Sequence, residues 1–142
     1  MQNVCAACGA VWPDGQSCQD GFHQLLFWEN EYPGHGRVHH LMVLCYYLQH
    51  PSLYSAVGLR SARELLRTFL EDGVTPEMAR QRFRREMGGA RAPVTARPDD
   101  RGAYPVPVAW PLTVADVVAG GAAAYCENVA AWAQAVHDTL TM

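Results

Sequence analysis

Three cysteines and a histidine stand close together near the start of this 142-residue chain. The stretch CAACGAVWPDGQSCQDGFH contains Cys5 and Cys8 as a C-x2-C pair, followed by Cys18 and His23. Two thiolates at C-x2-C spacing can bind one tetrahedral ion, as in zinc knuckles. Zinc accepts thiolate and imidazole ligands together in that geometry, so Zn2+ is the predicted cofactor.

The fourth ligand of the predicted metal site has two candidates. His23 completes a local C-x2-C-x9-C-x4-H set, and His39 could reach the site from a later helix. Three thiolates usually mark a closed structural zinc site, which favours a structural ion over an open catalytic one. The alternatives without metal are a redox-active C-x2-C pair or buried thiols.

The number of cysteines argues against a framework of disulfides. Five is an odd number, so the cysteines cannot all pair within one chain. The first residues, MQNVCAACGA, do not resemble an export signal, and we expect a protein of the reducing cytoplasm. Cys45 and Cys126 lie in apolar stretches and are predicted to be core residues. No apolar run approaches the roughly 18 residues of a membrane span, so no membrane association is expected.

A second group of candidates lies on a helix predicted over residues 37–50. His39, Tyr46 and His50 share one face of that helix, because they lie seven and four residues apart. A rise of about 1.5 Å per residue puts His39 and His50 roughly 16 Å apart, too far to bind one ion. His50 is expected to meet free carbonyls at the end of the helix. Each histidine could also be an ordinary hydrogen-bonded core residue.

These side chains define the alternative function, a zinc-dependent enzyme of hydrolase or lyase type. Glu29, on the preceding helix, is the nearest carboxylate that could join His39. An open metal position near Glu29, His39 and Tyr46 could activate water or polarise a carbonyl. The candidate catalytic residues are therefore Glu29, His39, Tyr46 and His50. A Glu–His pair could equally support the ligands of a structural ion.

Arginine supplies all the basic side chains, and ten of the eleven arginines fall between residues 60 and 101. The densest run is RQRFRR at residues 80 to 85, which could bind phosphate groups. The simpler interpretation is a solvated helix face beside Glu77 and Glu86. The net charge is −3, and no familiar nucleic-acid fold accompanies the run, so a nucleic-acid partner is not expected.

The hydrophobic pattern predicts a single all-α domain, a small helical bundle that carries an N-terminal zinc-knuckle-like loop. No segment is predicted to be a strand. The predicted order is a knuckle over 1–20, helices over 21–31, 37–50, 55–71 and 76–87, an irregular connection over 88–111 and a last helix over 112–140. Thr75 and Thr113 are predicted N-caps, the latter in a capping box with Asp116. Gly120-Gly121 is expected to bend or split the last helix.

Several motifs resemble an uncharacterised bacterial family catalogued as domain of unknown function 5946. They are C-x2-C-G-A, F-H-x-L-L-x-x-E, W-P-L-T-V-A-D-V and a central H-x-L-x-V-x-x-Y-x-x-Q-H-P. The residues that match the central motif are His39, Leu41, Val43, Tyr46, Gln49, His50 and Pro51. The resemblance covers nearly the whole chain and implies that the cysteines and His39 form a unit. It implies no activity.

Taken together, these patterns predict a small cytoplasmic zinc-binding helical protein. The ion is predicted to be mainly structural, with the protein acting by binding a partner or small ligand.

Overall fold

A computed structural model describes residues 2–87 and 95–142 of the chain. Within these ranges the chain is mostly helical, as predicted, and begins with a short hairpin. The hairpin strands are β1 Gln2–Val4 and β2 Val11–Pro13. The helices are α1 Cys18–Glu31, α2 His39–Leu48, α3 Ala56–Glu71, α4 Pro76–Met87, α5 Val114–Gly120 and α6 Tyr125–Leu140. None of them combines the length and apolarity needed to cross a membrane, among the residues described.

The hairpin corrects the expectation that the chain contains no strand. β1 and β2 pair antiparallel with Asn3 opposite Trp12. Each strand has only three residues, too few for a period-two alternation to be recognised. The turn between them carries Cys5 and Cys8, and Gly9 has a φ of 82° there. The predicted knuckle is therefore the turn of a hairpin.

Helix α1 begins three residues earlier than predicted because Ser17 caps it. Asp20 Oδ2 accepts a hydrogen bond from the Ser17 backbone N–H at 2.9 Å, and Ser17 Oγ accepts from the Asp20 N–H at 3.4 Å. This capping box satisfies two backbone donors that would otherwise be free. It makes Cys18 the first helical residue, so its thiol lies at the start of α1.

Helix α2 is the buried centre of the fold and packs on α3 and α6. It is shorter than the predicted 37–50, because a 3-10 turn over His35–Val38 precedes it and Gln49 caps its end. Gln49 is fully buried, donates to the Leu112 carbonyl at 2.7 Å and accepts from Trp132 Nε1 at 3.2 Å. These bonds connect α2 to α6 and to the segment before α5.

The C-terminal segment divides into two helices at Gly120-Gly121, as the sequence predicts. Gly121 has a φ of 84°, which a residue with a side chain rarely adopts. The capping box at Thr113 is confirmed, with the Thr113 N–H 2.8 Å from Asp116 Oδ2. The inward face of α6 carries four fully buried side chains: Tyr125, Val129, Trp132 and Val136.

The predicted irregular connection over 88–111 is only partly described. Residues 88–94 lie outside the described ranges, and residues 95–111 form no helix. Several contacts attach this segment to the bundle: for example, Thr95 forms a bridge with Tyr54, and the Tyr104 hydroxyl donates to the Leu48 carbonyl at 2.5 Å. The predicted N-cap of α4 is present before this connection, since the Met78 N–H donates to Thr75 Oγ1 at 3.2 Å.

Candidate functional site

Four side chains from three parts of the fold meet beside the hairpin turn. Cys5 and Cys8 come from the turn, Cys18 from the first residue of α1, and His50 from the residue after the cap of α2. One ligand atom of each lies within 4.8 Å of the others. We call these four residues the Cys3His cluster. Three sulfurs and one imidazole nitrogen are a donor set that could hold a metal ion.

The spacing of the donor atoms suits a tetrahedral ion. The Sγ atoms of Cys8 and Cys18 are 3.5 Å apart, and Cys5 Sγ is 3.6 Å from His50 Nε2. Zinc–ligand bond lengths imply edges of about 3.8 Å between sulfurs and about 3.6 Å between sulfur and nitrogen in a tetrahedron. These two edges match a tetrahedral ion to within about 0.3 Å, and all four donor atoms lie within 4.8 Å of one another.

The backbone of α2 orients His50 towards the sulfurs. His50 Nδ1 lies 2.6 Å from the Tyr46 carbonyl oxygen. A carbonyl can only accept a hydrogen bond, so Nδ1 carries a proton, and in the neutral imidazole the lone pair of Nε2 is the one that a metal could bind. Metal-binding histidines are commonly fixed by such a bond from the second ring nitrogen. Pro51 follows immediately and ends the helix, which leaves His50 at its edge.

The surroundings of Cys18 favour a thiolate. The hydrogen bond shared with Cys8 lowers the pKa of Cys18, and bonds from His50 and Trp12 act in the same direction against the effect of burial. The Trp12 Nε1–H donates to Cys18 Sγ at 3.2 Å. Burial alone would lower the pKa of His50, but its bonds to Cys18, the Tyr46 carbonyl and Cys5 raise it. A cationic metal would meet a site already prepared for negative sulfur.

The structure brings the three predicted cysteine ligands together and places His50 with them, rather than His23 or His39. His23 is exposed and lies five residues after Cys18, about 140° around α1. His39 is exposed at the start of α2. Helices α1 and α2 run antiparallel, so the end of α2 returns to the start of α1, where Cys18 lies. The histidine that joins the three cysteines is therefore the one that follows α2.

Glu29 and His39 form a pair at the opposite end of the two helices. His39 Nδ1 lies 2.6 Å from Glu29 Oε1, and the Tyr125 hydroxyl donates to Glu29 Oε2. The Glu29 side chain is only 8% exposed, whereas that of His39 is 51% exposed. Burial and the bond to Glu29 together raise the pKa of Tyr125, which keeps it a proton donor. The pairing of Glu29 with His39 is as proposed from the sequence, but Tyr125 was not among the candidates.

Glu29 and His39 lie far from the Cys3His cluster. Glu29 lies eleven residues after Cys18 on one helix, which is about 16 Å. The arrangement does not support a zinc enzyme with an open metal position beside both Glu29 and His39. Tyr46 does lie near the cluster, with its ring 4.4 Å from that of His50. Burial raises the pKa of Tyr46 to about 12, so it remains protonated there.

The other two cysteines lie in the core, as predicted. Cys45 is fully buried in α2, and burial raises the pKa of its thiol well above the usual range. Cys126 is also buried, and its thiol faces the Gly34 carbonyl oxygen at 3.8 Å. All five cysteines are free. Neither core cysteine belongs to the Cys3His cluster.

Comparison with known proteins identifies the chain at the level of a family. A family model described as "Family of unknown function (DUF5946)" matches residues 3–141. The match covers the Cys3His cluster, the six described helices and all of the hairpin except its first residue, which agrees with the resemblance seen in the motifs. No curated protein and no solved structure matches the chain.

Proposed function

We propose that this chain, which belongs to the family of unknown function DUF5946, binds one structural zinc ion. We propose also that it acts by binding a small ligand or partner on its helical body. The ion is held by the Cys3His cluster. The protein acts in the cytoplasm, where thiols stay reduced and available to metal. The family carries no assigned activity, so the proposal rests on the site.

One observation carries the proposal: four suitable donor atoms lie within 4.8 Å of one another, although they come from three separate elements. Chance would rarely assemble three thiols and a correctly oriented imidazole from residues 45 positions apart in the chain. Zinc fits this mixed donor set best among common ions. Four protein ligands fill a tetrahedral shell, and this supports a structural rather than a catalytic ion.

The role of the ion follows from what its ligands connect. The hairpin strands β1 and β2 have only three residues each, and β1 is exposed along its length. A bound ion would join this hairpin to the start of α1 and to the end of α2. Because the ligands are brought together by folding, the free energy of metal binding stabilises the folded chain.

Metal analysis of matched variants tests the proposal. Protein purified without added metal is expected to contain about one zinc per chain, and Cys8→Ser and His50→Ala are expected to lose it. His23→Ala and Cys45→Ser are the controls, because His23 is exposed and Cys45 lies in α2 outside the cluster. Loss of zinc in His23→Ala with retention in His50→Ala would overturn the assignment of the fourth ligand.

Cobalt substitution supplies a second measurement that does not depend on stability. Co2+ in a tetrahedral site with thiolate ligands gives intense visible bands and a charge-transfer band from sulfur. The wild-type protein is expected to show both, and Cys8→Ser is expected to weaken the charge-transfer band. Absence of sulfur-derived absorption in the wild type would exclude the Cys3His cluster as the metal site.

A further inference from the structure

A groove of about 730 Å³ lies between α2, α3 and α4, at the end of the molecule away from the Cys3His cluster. We call it the α2–α4 groove. Its floor is apolar, since six of its lining residues are Val43, Leu44, Leu65, Phe69, Pro76 and Ala79. The volume lies within the usual range for small-molecule sites, roughly 300–1,000 Å³. A ligand here would find apolar contacts along three helices.

The polar lining of the groove carries one sign of charge. Arg80 and Arg84 lie one turn apart on α4, and both are exposed. Among the described residues no carboxylate lines the groove, and the arginine ion pairs belong to Arg67 instead. The two guanidinium groups are therefore available to an anion, which each can bind through several N–H donors.

Two histidines of α2 complete the polar lining of the groove. His40 packs edge-on against Phe69 with ring centroids 4.6 Å apart. His39 also lines the groove, and its Nδ1 is occupied by Glu29 at 2.6 Å. Glu29 shares its other oxygen with Tyr125 and does not line the groove, so it holds His39 in place without presenting a carboxylate to the ligand.

From this arrangement we propose that the α2–α4 groove binds a small organic anion with an apolar body. The body lies against α2 and α3, and the anionic group meets Arg80 and Arg84, with His39 facing it. This deepens the proposed function, on which it rests, by naming the chemical class of the ligand. The cause of the preference is charge complementarity at the rim of an otherwise apolar groove.

A pair of fluorescent probes that differ only in charge tests the proposal on the zinc-loaded chain. One is 8-anilinonaphthalene-1-sulfonate, and the other is N-phenyl-1-naphthylamine, which has the same rings without the sulfonate. The wild-type protein is expected to bind the sulfonate at least about fivefold more tightly than its neutral analogue. Raising the salt concentration is expected to weaken only the binding of the sulfonate.

Three variants of α4 localise the binding. Arg80→Gln and Arg84→Gln are each expected to weaken binding of the sulfonate about threefold, with no effect on the neutral probe. Arg82→Gln is the matched control, because Arg82 lines a different groove with Arg60 and Thr68. Each variant removes one exposed charge from the same helix, so the fold is expected to survive in all three.

Three outcomes would overturn the proposal. Equal weakening by Arg82→Gln would mean that general charge, not the groove, attracts the probe. Equal affinity for both probes would mark the groove as an apolar docking face for a protein or for another part of this chain. Absence of saturable binding by either probe would show that the groove accepts no small ligand.

The zinc content of the same samples separates this test from that of the proposed function. Zinc-loaded protein that fails to discriminate between the probes would contradict the anion site and leave the metal site intact. Protein without zinc that still binds the sulfonate through Arg80 and Arg84 would contradict the metal site alone.

Discussion

Cys5 Sγ lies 3.6 Å from His50 Nε2, so the first turn of the chain touches the end of its central helix. This contact joins an exposed three-residue strand to a helix whose side chains form the middle of the core. The imidazole is held from its other side by the Tyr46 carbonyl. The ligand that closes the candidate site is thereby positioned by the core of the fold and not by the knuckle.

Removal of the ion is expected to loosen the fold. A site filled at about 1,000 times its Kd contributes about 4.1 kcal/mol to the free energy of unfolding. A strong zinc chelator should therefore lower Tm by about 10 °C in a chain of this size. Calorimetric scans with and without chelator measure the shift, and Cys5→Ser should already show the lower Tm without chelator. A chelator shift that persists in Cys5→Ser, or no shift in the wild type, would contradict a structural ion at this cluster.

Gly21 is expected to be required for the packing of Trp12 against α1. A Cβ at residue 21 would lie 2.6 Å from the Trp12 ring and 3.3 Å from Val114. Although Gly→Ala within a helix usually stabilises by about 1 kcal/mol, Gly21→Ala should destabilise by about 1–3 kcal/mol because a buried ring must move. Denaturant unfolding measures the change.

Gly36→Ala is the matched control for this prediction, because a Cβ there would have no neighbour within 4 Å. It should leave the stability within about 0.5 kcal/mol. The ring that Gly21→Ala displaces donates to Cys18 Sγ, so the variant should also bind zinc more weakly than Gly36→Ala. A Gly21→Ala protein that is more stable than the wild type would contradict this prediction, because it would show that the Trp12 ring can move aside without cost.

Gln49 is expected to be a structural polar residue of the core. Its amide is hydrogen-bonded on both sides, to Leu112 and Trp132, with no exposed surface. Gln49→Leu should leave a carbonyl and an indole N–H without partners and reduce the free energy of unfolding by about 2–4 kcal/mol. Urea unfolding with Gln81→Leu, an exposed position on α4, as control measures the effect. Equal stability of the two variants would contradict this role.

His40 is expected to make stability depend on pH. Burial, followed by the nearby His39, lowers its pKa below the ordinary value of 6.5. The unfolded chain therefore takes up a proton at this site before the folded chain does, so stability is retained above pH 6.5 and falls as the pH drops below it.

Unfolding curves of zinc-loaded protein between about pH 8 and pH 5 test this dependence. The free energy of unfolding of His40→Gln should fall less steeply with decreasing pH than that of the wild type. The exposed His23→Gln variant should follow the wild type. Wild-type and His40→Gln curves that stay parallel would show that His40 does not contribute.

Local sequence signals predicted most of the helices and the cysteines of the candidate site, but not its histidine. The capping boxes, the glycine break and the C-x2-C spacing act within a few residues, so Thr113, Gly121, Cys5 and Cys8 could be identified from neighbours alone. His50 could not, because its role depends on the antiparallel return of α2 to the start of α1. A proline directly after a histidine at a helix end was the available signal, and it indicated only where the helix stops.

The same reasoning explains the other differences. β1 and β2 are too short for a periodic pattern, and their pairing depends on the turn that holds the cysteines. The bond from Tyr125 to Glu29 arises only because the start of α6 lies beside the end of α1. Residue spacing cannot predict contacts between elements that lie far apart in the sequence.

The most direct test of the central claim is X-ray absorption at the zinc edge of the purified wild-type protein. The predicted shell has three sulfurs at about 2.3 Å and one nitrogen at about 2.0–2.1 Å, with the outer-shell scattering of an imidazole. His50→Ala, which is expected to purify without zinc, should show after addition of one equivalent of zinc a light-atom ligand that lacks this imidazole scattering. A wild-type shell with fewer than three sulfurs, or an imidazole signal that survives in His50→Ala, would contradict the Cys3His site.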